Sequence, residues 1–192
     1  MMKKVKKICV FCGSKDGKDP IYTQLAFELG TILGKNKIEL IYGAGGTGVM
    51  KAIAEGCKQA GGRVTGMTTK RLFKIEKSEL SDVENVKVFH HLFARKVAMT
   101  KAADAFVIMP GGLGTLDELF ELMTLKYLGI ISSPIIIFNI NFFFDGLRAF
   151  VRQCIRDAFI HVVDKELIVF VDEVDQIMPE IERKFREAQK KA

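Results

Sequence analysis

The sequence has few cysteines, four in all, and Cys9, Cys12, Cys57 and Cys154 are too scattered for a disulfide framework. Cys9 and Cys12 are spaced as CxxC, but the segment KICVFCG reads as a strand. Residues three apart on a strand face opposite ways, whereas a redox dithiol favours a helix start. No second close pair completes a zinc site. All four cysteines therefore read as core residues. The sequence also lacks a long apolar run. Only five apolar residues, 8–12, follow the basic start, which is too short for a signal peptide. The longest stretch, 134–144, is broken by Asn139 and Asn141 and falls short of the roughly 20 residues of a membrane span. A cytoplasmic protein without a membrane partner is expected. Histidine is scarce as well. His90 and His91 are adjacent, so their side chains diverge, and no carboxylate pair nearby completes a ligand set. No metal is expected.

What the chain does have is charge, 29 Lys plus Arg against 23 Asp plus Glu, for a formal net charge of +6. The surplus sits at the ends. Lys3, Lys4, Lys6 and Lys7 open the chain, and Arg183, Lys184, Arg186, Lys190 and Lys191 outnumber Glu182 and Glu187 near its close. Residues 8–181 are within one charge of neutral. A basic groove for nucleic acid is therefore not expected, since polyanion binding needs cations across a folded face. The segments 1–6 and 188–192 read as mobile basic ends of a single domain spanning 1–192.

A hydrophobic fraction of 48% supplies a real core. Short β-branched runs at 7–13, 38–43, 63–68, 84–89, 104–109, 134–138 and 166–171 alternate with helical segments near 20–35, 47–60, 91–103, 114–128, 143–158 and 173–190. Near-continuous apolar strands such as 134–138 mark a parallel sheet covered on both faces. The alternation predicts an α/β, Rossmann-like, open doubly wound parallel sheet of about seven strands with helices on both faces. The polar stretch 69–82 is the candidate mobile loop. The run Phe142, Phe143 and Phe144, with Phe138 and Phe150, is expected to fill core or a subunit interface.

Ligands in such folds bind at the carboxyl ends of the strands. Three junctions there carry glycine or serine: Gly13 and Ser14; Gly43-Ala44-Gly45-Gly46-Thr47-Gly48; and Pro110-Gly111-Gly112-Leu113-Gly114-Thr115. Glycines let backbone amides approach a phosphate, and a helix N-terminus adds partial positive charge. The second loop matches GxGxxG, but it follows the second strand, and no Asp or Glu lies between Gly56 and Ile75 to hold a ribose. Nor is it a Walker loop, because Val49 and Met50 occupy the Lys and Ser/Thr places. The third loop is the more specific one. It runs straight into a helix with Glu118 in its opening, and Glu121 follows one turn later. A capping box between Thr115 and Glu118 is an alternative use of that carboxylate.

PGGLGTLDE, residues 110–118, resembles the PGGxGTxxE motif of the Lonely Guy (LOG) family, and the likeness extends over nearly the whole chain. The opening Cys9-Val10-Phe11-Cys12-Gly13-Ser14 with Gly17, Pro20 and Tyr22, the stretch 42–50, and Arg95-Lys96 ahead of Ala103-Asp104-Ala105-Phe106 agree in order and spacing. Lys15, Ala44, Lys51 and His91 depart from the family pattern. The resemblance implies a cytokinin riboside 5′-monophosphate phosphoribohydrolase and a homodimer, with a nucleoside monophosphate as partner. It implies Arg95 and Glu118 as the catalytic pair, and Lys96 and Thr124 as further contacts. No cofactor is expected, and no Lys sits in an identifiable Schiff-base setting that would support the lysine decarboxylase label some relatives carry. Gly13, Ser14, Gly43, Gly45, Gly46, Gly111, Gly112, Gly114, Thr115 and Glu121 complete the expected substrate- and phosphate-binding set. A non-catalytic nucleotide or molybdenum-cofactor carrier of the same general fold is the alternative. Without the resemblance, Arg95-Lys96 reads as a solvated helix face.

Overall fold

The computed structural model describes residues 4–75, 85–161 and 167–191. Seven parallel strands, β1 (Lys7–Phe11), β2 (Glu39–Tyr42), β3 (Val64–Thr69), β4 (Asn85–Phe89), β5 (Ala105–Ile108), β6 (Ile135–Phe138) and β7 (Val169–Val171), form one sheet in the order β4-β3-β2-β1-β5-β6-β7. The order reverses between β1 and β5, which pair Ile8 with Ala105 and Phe11 with Ile108. That reversal opens a crevice at the strands' carboxyl ends. The expected doubly wound sheet is therefore present.

Helices α1 (Ile21–Lys35), α2 (Gly48–Gln59) and α7 (Ile177–Lys191) cover one face, against Ile8, Val10 and Cys12. Helices α4 (Leu92–Ala102), α5 (Leu113–Tyr127) and α6 (Asp145–Arg156) cover the other, against Cys9 and Phe11. Strand alternation thus sends the two CxxC sulfurs to opposite layers, and burial pushes the Cys9 thiol well above its ordinary pKa. Cys57 is buried too, but Cys154 is only half-buried on α6, whose outer face is largely exposed. Helices α1 and α2 approach closely because Gly30 and Gly56 lack side chains. A Cβ on either would fall 2.1 Å from a carbonyl oxygen of the facing helix.

Several expectations change. The stretch 69–82 is ordered at its start: Thr69 ends β3, and α3 (Lys70–Ile75) follows, opened by the Thr69 hydroxyl accepting the Leu72 amide. Residues 76–82 lie outside the described residues. The expected mobile tail at 188–192 continues α7 as far as Lys191. That helix carries its own ion pairs, Arg183 with Glu180 and Glu187 and Lys184 with Glu187. At the other end Lys6 and Lys7 donate their amides to the Asp104 carboxylate, while residues 1–3 and 192 lie outside the described residues. The phenylalanine run divides three ways: Phe144 joins Phe138 in the core, Phe143 reaches the crevice, and Phe142 and Phe150 face solvent. Among the described residues no helix is long and apolar enough to cross a membrane.

Candidate active site

The crevice holds a cavity of about 600 Å³ lined by the loops after β1, β2, β5 and β6 and by α3, α4 and α5. Its floor is the β5–α5 junction. Helix α5 begins at Leu113 with Gly112 as its N-cap, so Thr115 lies inside the helix and Glu118 in its second turn. The capping box anticipated from Thr115 and Glu118 does not form. The first helix-closing bond to this loop runs from the Leu116 amide to the Gly112 carbonyl, 3.1 Å. Among the described residues no acceptor takes the amides of Leu113, Gly114 or Thr115. These are the unsatisfied donors of a helix N-terminus, and they suit an anion. Gly112 and Gly114 have open space where a Cβ would stand, so a ligand can approach the backbone there. Gly111 serves packing instead: its Cβ would lie 2.1 Å from Thr115 Oγ1 and 2.9 Å from the Gly13 amide.

Glu118 turns from α5 toward α4 and accepts a hydrogen bond from Arg95 Nη1 at 2.9 Å. Arg95 Nε donates to the Met67 carbonyl within β3, 2.7 Å. The two side chains are only 8% and 10% exposed. Burial raises the Glu118 pKa from the usual 4.5 to about 7, and the Arg95 charge opposes the rise without cancelling it. Glu118 can therefore hold or release a proton near neutrality. Gly43 makes room for this pair, since a Cβ there would sit 2.7 Å from Arg95 Nη2 and 2.9 Å from Met50 Sδ. The solvated-face reading of Arg95-Lys96 fails, for both are buried.

Lys96 reaches Asp117 at 3.0 and 3.2 Å and also pairs with Glu121 Oε2. Burial alone would lower the Lys96 pKa, yet Glu121 and Asp117 outweigh it and raise it. The Phe93 ring lies under the ammonium at 5.5 Å.

Of the residues singled out by sequence, Gly13, Ser14, Gly43, Arg95, Lys96, Gly111, Gly112, Gly114, Thr115 and Glu118 line the cavity together. Gly45 and Gly46 do not. Helix α2 spends its leading amides on the first loop, with Met50 donating to the Gly13 carbonyl and Val49 to that of Lys15. The GxGxxG stretch is thus a brace for the β1–α1 loop, tightened by the Thr47 hydroxyl on the Ser14 carbonyl at 2.7 Å. Glu121 does not line the cavity and meets the site through its ion pair with Lys96. Thr124 is exposed, and its hydroxyl donates to Phe120 one turn back, away from this chain's cavity. His91 caps α4, its Nδ1 accepting the Ala94 amide at 3.2 Å.

Three features of the site have no clear mark in the sequence. Asp117 stands four residues before Glu121, on the same helix face, a spacing that could have marked both as partners of Lys96. Phe143 was visible only as part of an apolar run. The Met67 carbonyl that orients Arg95 has no sequence signature, because it is backbone.

The family described as "Possible lysine decarboxylase" matches residues 50–181. Two cytokinin riboside 5′-monophosphate phosphoribohydrolases of Arabidopsis thaliana, LOG7 and LOG1, are 34% and 35% identical to the chain. The first alignment covers 92% of this chain and 81% of the relative, the second 93% and 84%. Among solved structures, the molybdenum cofactor carrier protein of Chlamydomonas reinhardtii superposes with a TM-score of 0.71 at 21% identity, covering 95% of this chain and 99% of that one. The molybdenum cofactor binding protein of Rippkaea orientalis gives 0.70 at 19%, covering 94% and 97%. Those two likenesses show a shared fold, whereas the sequence matches span most of the chain at a third identity, and by them the chain belongs to the LOG family.

Proposed function

We propose that the protein hydrolyses the N-glycosidic bond of cytokinin riboside or adenosine 5′-monophosphate, releasing the free base and ribose 5-phosphate. The observation that carries this reading is the position of Glu118, a buried carboxylate poised near neutrality one turn beyond the free amides of its own helix. A phosphate on the amides of residues 113–115 sets the attached ribose beside that carboxylate. Breaking the bond leaves cationic character on the ribose ring, which an adjacent carboxylate stabilises. Water attacks C1′ as the electron pair of the C1′–N bond departs with the base. Glu118 accepts the water proton, and the base nitrogen takes one from solvent. A guanidinium is a poor proton donor, so Arg95 is given no part in proton transfer. Held by the Met67 carbonyl, it orients Glu118 and polarises the ribose and leaving base.

A molybdenum-cofactor carrier is the second reading, supported by the likeness of fold to such proteins. A carrier binds one equivalent and releases it unchanged. Base release from adenosine 5′-monophosphate, scored by chromatography beside adenosine and the N6-prenyl nucleotide, separates the two. Multiple turnovers dependent on the 5′-phosphate support the hydrolase, and stoichiometric binding without product sinks it.

The protein is further proposed to act as a homodimer. Leu92, Phe93 and Val97 on α4 and Phe120 on α5 are exposed apolar residues on the same covering layer, a surface suited to a second copy. Phe93→Glu is expected to give a monomer by light scattering, and an unchanged dimer mass would place the interface elsewhere.

A further inference from the structure

The sheet order lays the cavity out in a line. Arg95 reaches β3 through the Met67 carbonyl and the end of β2 through the space left by Gly43. The free amides of α5 follow β5, and Phe143 follows β6, the next strand along. Bond cleavage at Glu118 and Arg95 therefore lies on one side of the phosphate-binding amides, and Phe143 on the other. Resting on the nucleoside monophosphate reading, we propose that Phe143, backed by Tyr22, is a specificity-determining residue that closes the phosphate end of the cavity and limits the substrate to a single phosphate.

The wall is built rather than incidental. The Phe143 ring stands edge-on to Tyr22, with centroids 6.0 Å apart, and edge-on to the core residue Phe144 at 4.9 Å. Its backbone is preceded by two successive left-handed residues, Asn141 (φ 48°) and Phe142 (φ 59°). Non-glycine residues hold that conformation only where their surroundings dictate it. Here buried Asn139 does so, its Oδ1 accepting the Phe144 amide at 2.7 Å while its Nδ2 donates to Asp145 and Asp172. Asn141 Nδ2 then ties the loop across the crevice to Asp19 Oδ2, 3.0 Å, in the segment that leads to Tyr22.

Charge does not offset that wall. The facing segment after β1 carries Lys15 and Lys18 beside Asp16 and Asp19, so its charges balance. A second phosphate would lose water against the rings of Phe143 and Tyr22 without gaining a net positive field.

The test is titration of the wild-type protein, Phe143→Ala and Phe143→Tyr with adenosine 5′-monophosphate and 5′-diphosphate. The wild type should prefer the monophosphate by ~10-fold or more, Phe143→Ala should lose most of that preference, and Phe143→Tyr should keep it. Phe143 is 45% exposed, so the alanine variant should fold, and the tyrosine variant reports on the same wall if it does not. A wild type that binds both nucleotides equally, or a preference untouched in Phe143→Ala, overturns the proposal. Base release is scored in parallel. Its absence alongside an intact preference sinks the hydrolase reading and leaves the part of Phe143 standing.

Discussion

Arg95 Nη1 lies 2.9 Å from Glu118 Oε1, across the gap between two helix openings at the crest of the sheet. Both side chains are almost withdrawn from water, so the bond is short of competing donors and the carboxylate keeps a high pKa despite its cationic neighbour. Replacing the carboxylate by an amide of the same shape removes the proton acceptor while leaving an acceptor oxygen for Arg95. Glu118→Gln should lower base release from adenosine 5′-monophosphate by ~10²–10⁴-fold, with nucleotide binding largely retained. Full turnover in that variant would remove Glu118 from the chemistry.

The same pair gives the folded protein a pH signature. Between the usual carboxylate value of 4.5 and about 7, folded Glu118 binds more proton than unfolded Glu118. Stability must then fall as pH rises through that window and level off above it. A shift of this size corresponds to on the order of 3 kcal/mol across the window, at about 1.4 kcal/mol per pH unit. Glu118→Gln also disturbs the partner of a buried arginine, but that loss does not vary with pH. Denaturant melts at pH 5 and pH 8 should therefore show wild-type stability declining relative to the variant, and parallel profiles would refute the raised pKa.

Two glycines separate space for a protein group from space for a ligand. Gly43→Ala drives a methyl into Arg95 Nη2 and Met50 Sδ, so the guanidinium must leave its place over β2. Gly112→Ala meets nothing within the chain, and its φ of −98° suits alanine. The first variant should lose mainly kcat, because the catalytic geometry moves. The second should keep its melting temperature and raise KM, because the methyl stands where phosphate approaches the amides. Steady-state kinetics on both variants check this, and equal effects on kcat and KM in each would erase the distinction.

The fold was legible because its signals are local. Alternating apolar strands such as 134–138 and helical periods between them carry the doubly wound sheet in their spacing. The site was legible where backbone approach demands glycine, as at Gly112 and Gly114. It was less so where one glycine pattern serves two ends: the GxGxxG loop looks like a phosphate cradle, yet its helix gives its leading amides to the Gly13 and Lys15 carbonyls. Thr115 and Glu118 have the spacing of a capping box, and only the helix start at Leu113, set by the glycine N-cap, moves them inward. Burial of Arg95 and Lys96 was hidden for a different reason. A charged pair reads as surface until tertiary packing supplies the Met67 carbonyl and the three carboxylates Asp117, Glu118 and Glu121 that hold it.

Lys96 is the one member of that group whose removal should tune the chemistry rather than abolish it. Its ammonium lies between Asp117 and Glu121 and lowers the Glu118 pKa through space, partly offsetting the charge of Asp117, which raises it. Lys96→Met keeps the length of the side chain and its packing near Phe93 but deletes the charge, leaving two carboxylates unopposed beside Glu118. The ionisation that limits turnover at acid pH should then move above the wild-type value near 7, so the variant loses most activity at pH 6.5 and recovers toward pH 8.5. Ionisation of the substrate phosphate is common to both proteins and cancels in the ratio of their rates. Lys96→Arg retains the charge and should restore the wild-type profile. A ratio of Lys96→Met to wild-type rates that stays flat with pH would show that Lys96 serves only to bind ligand.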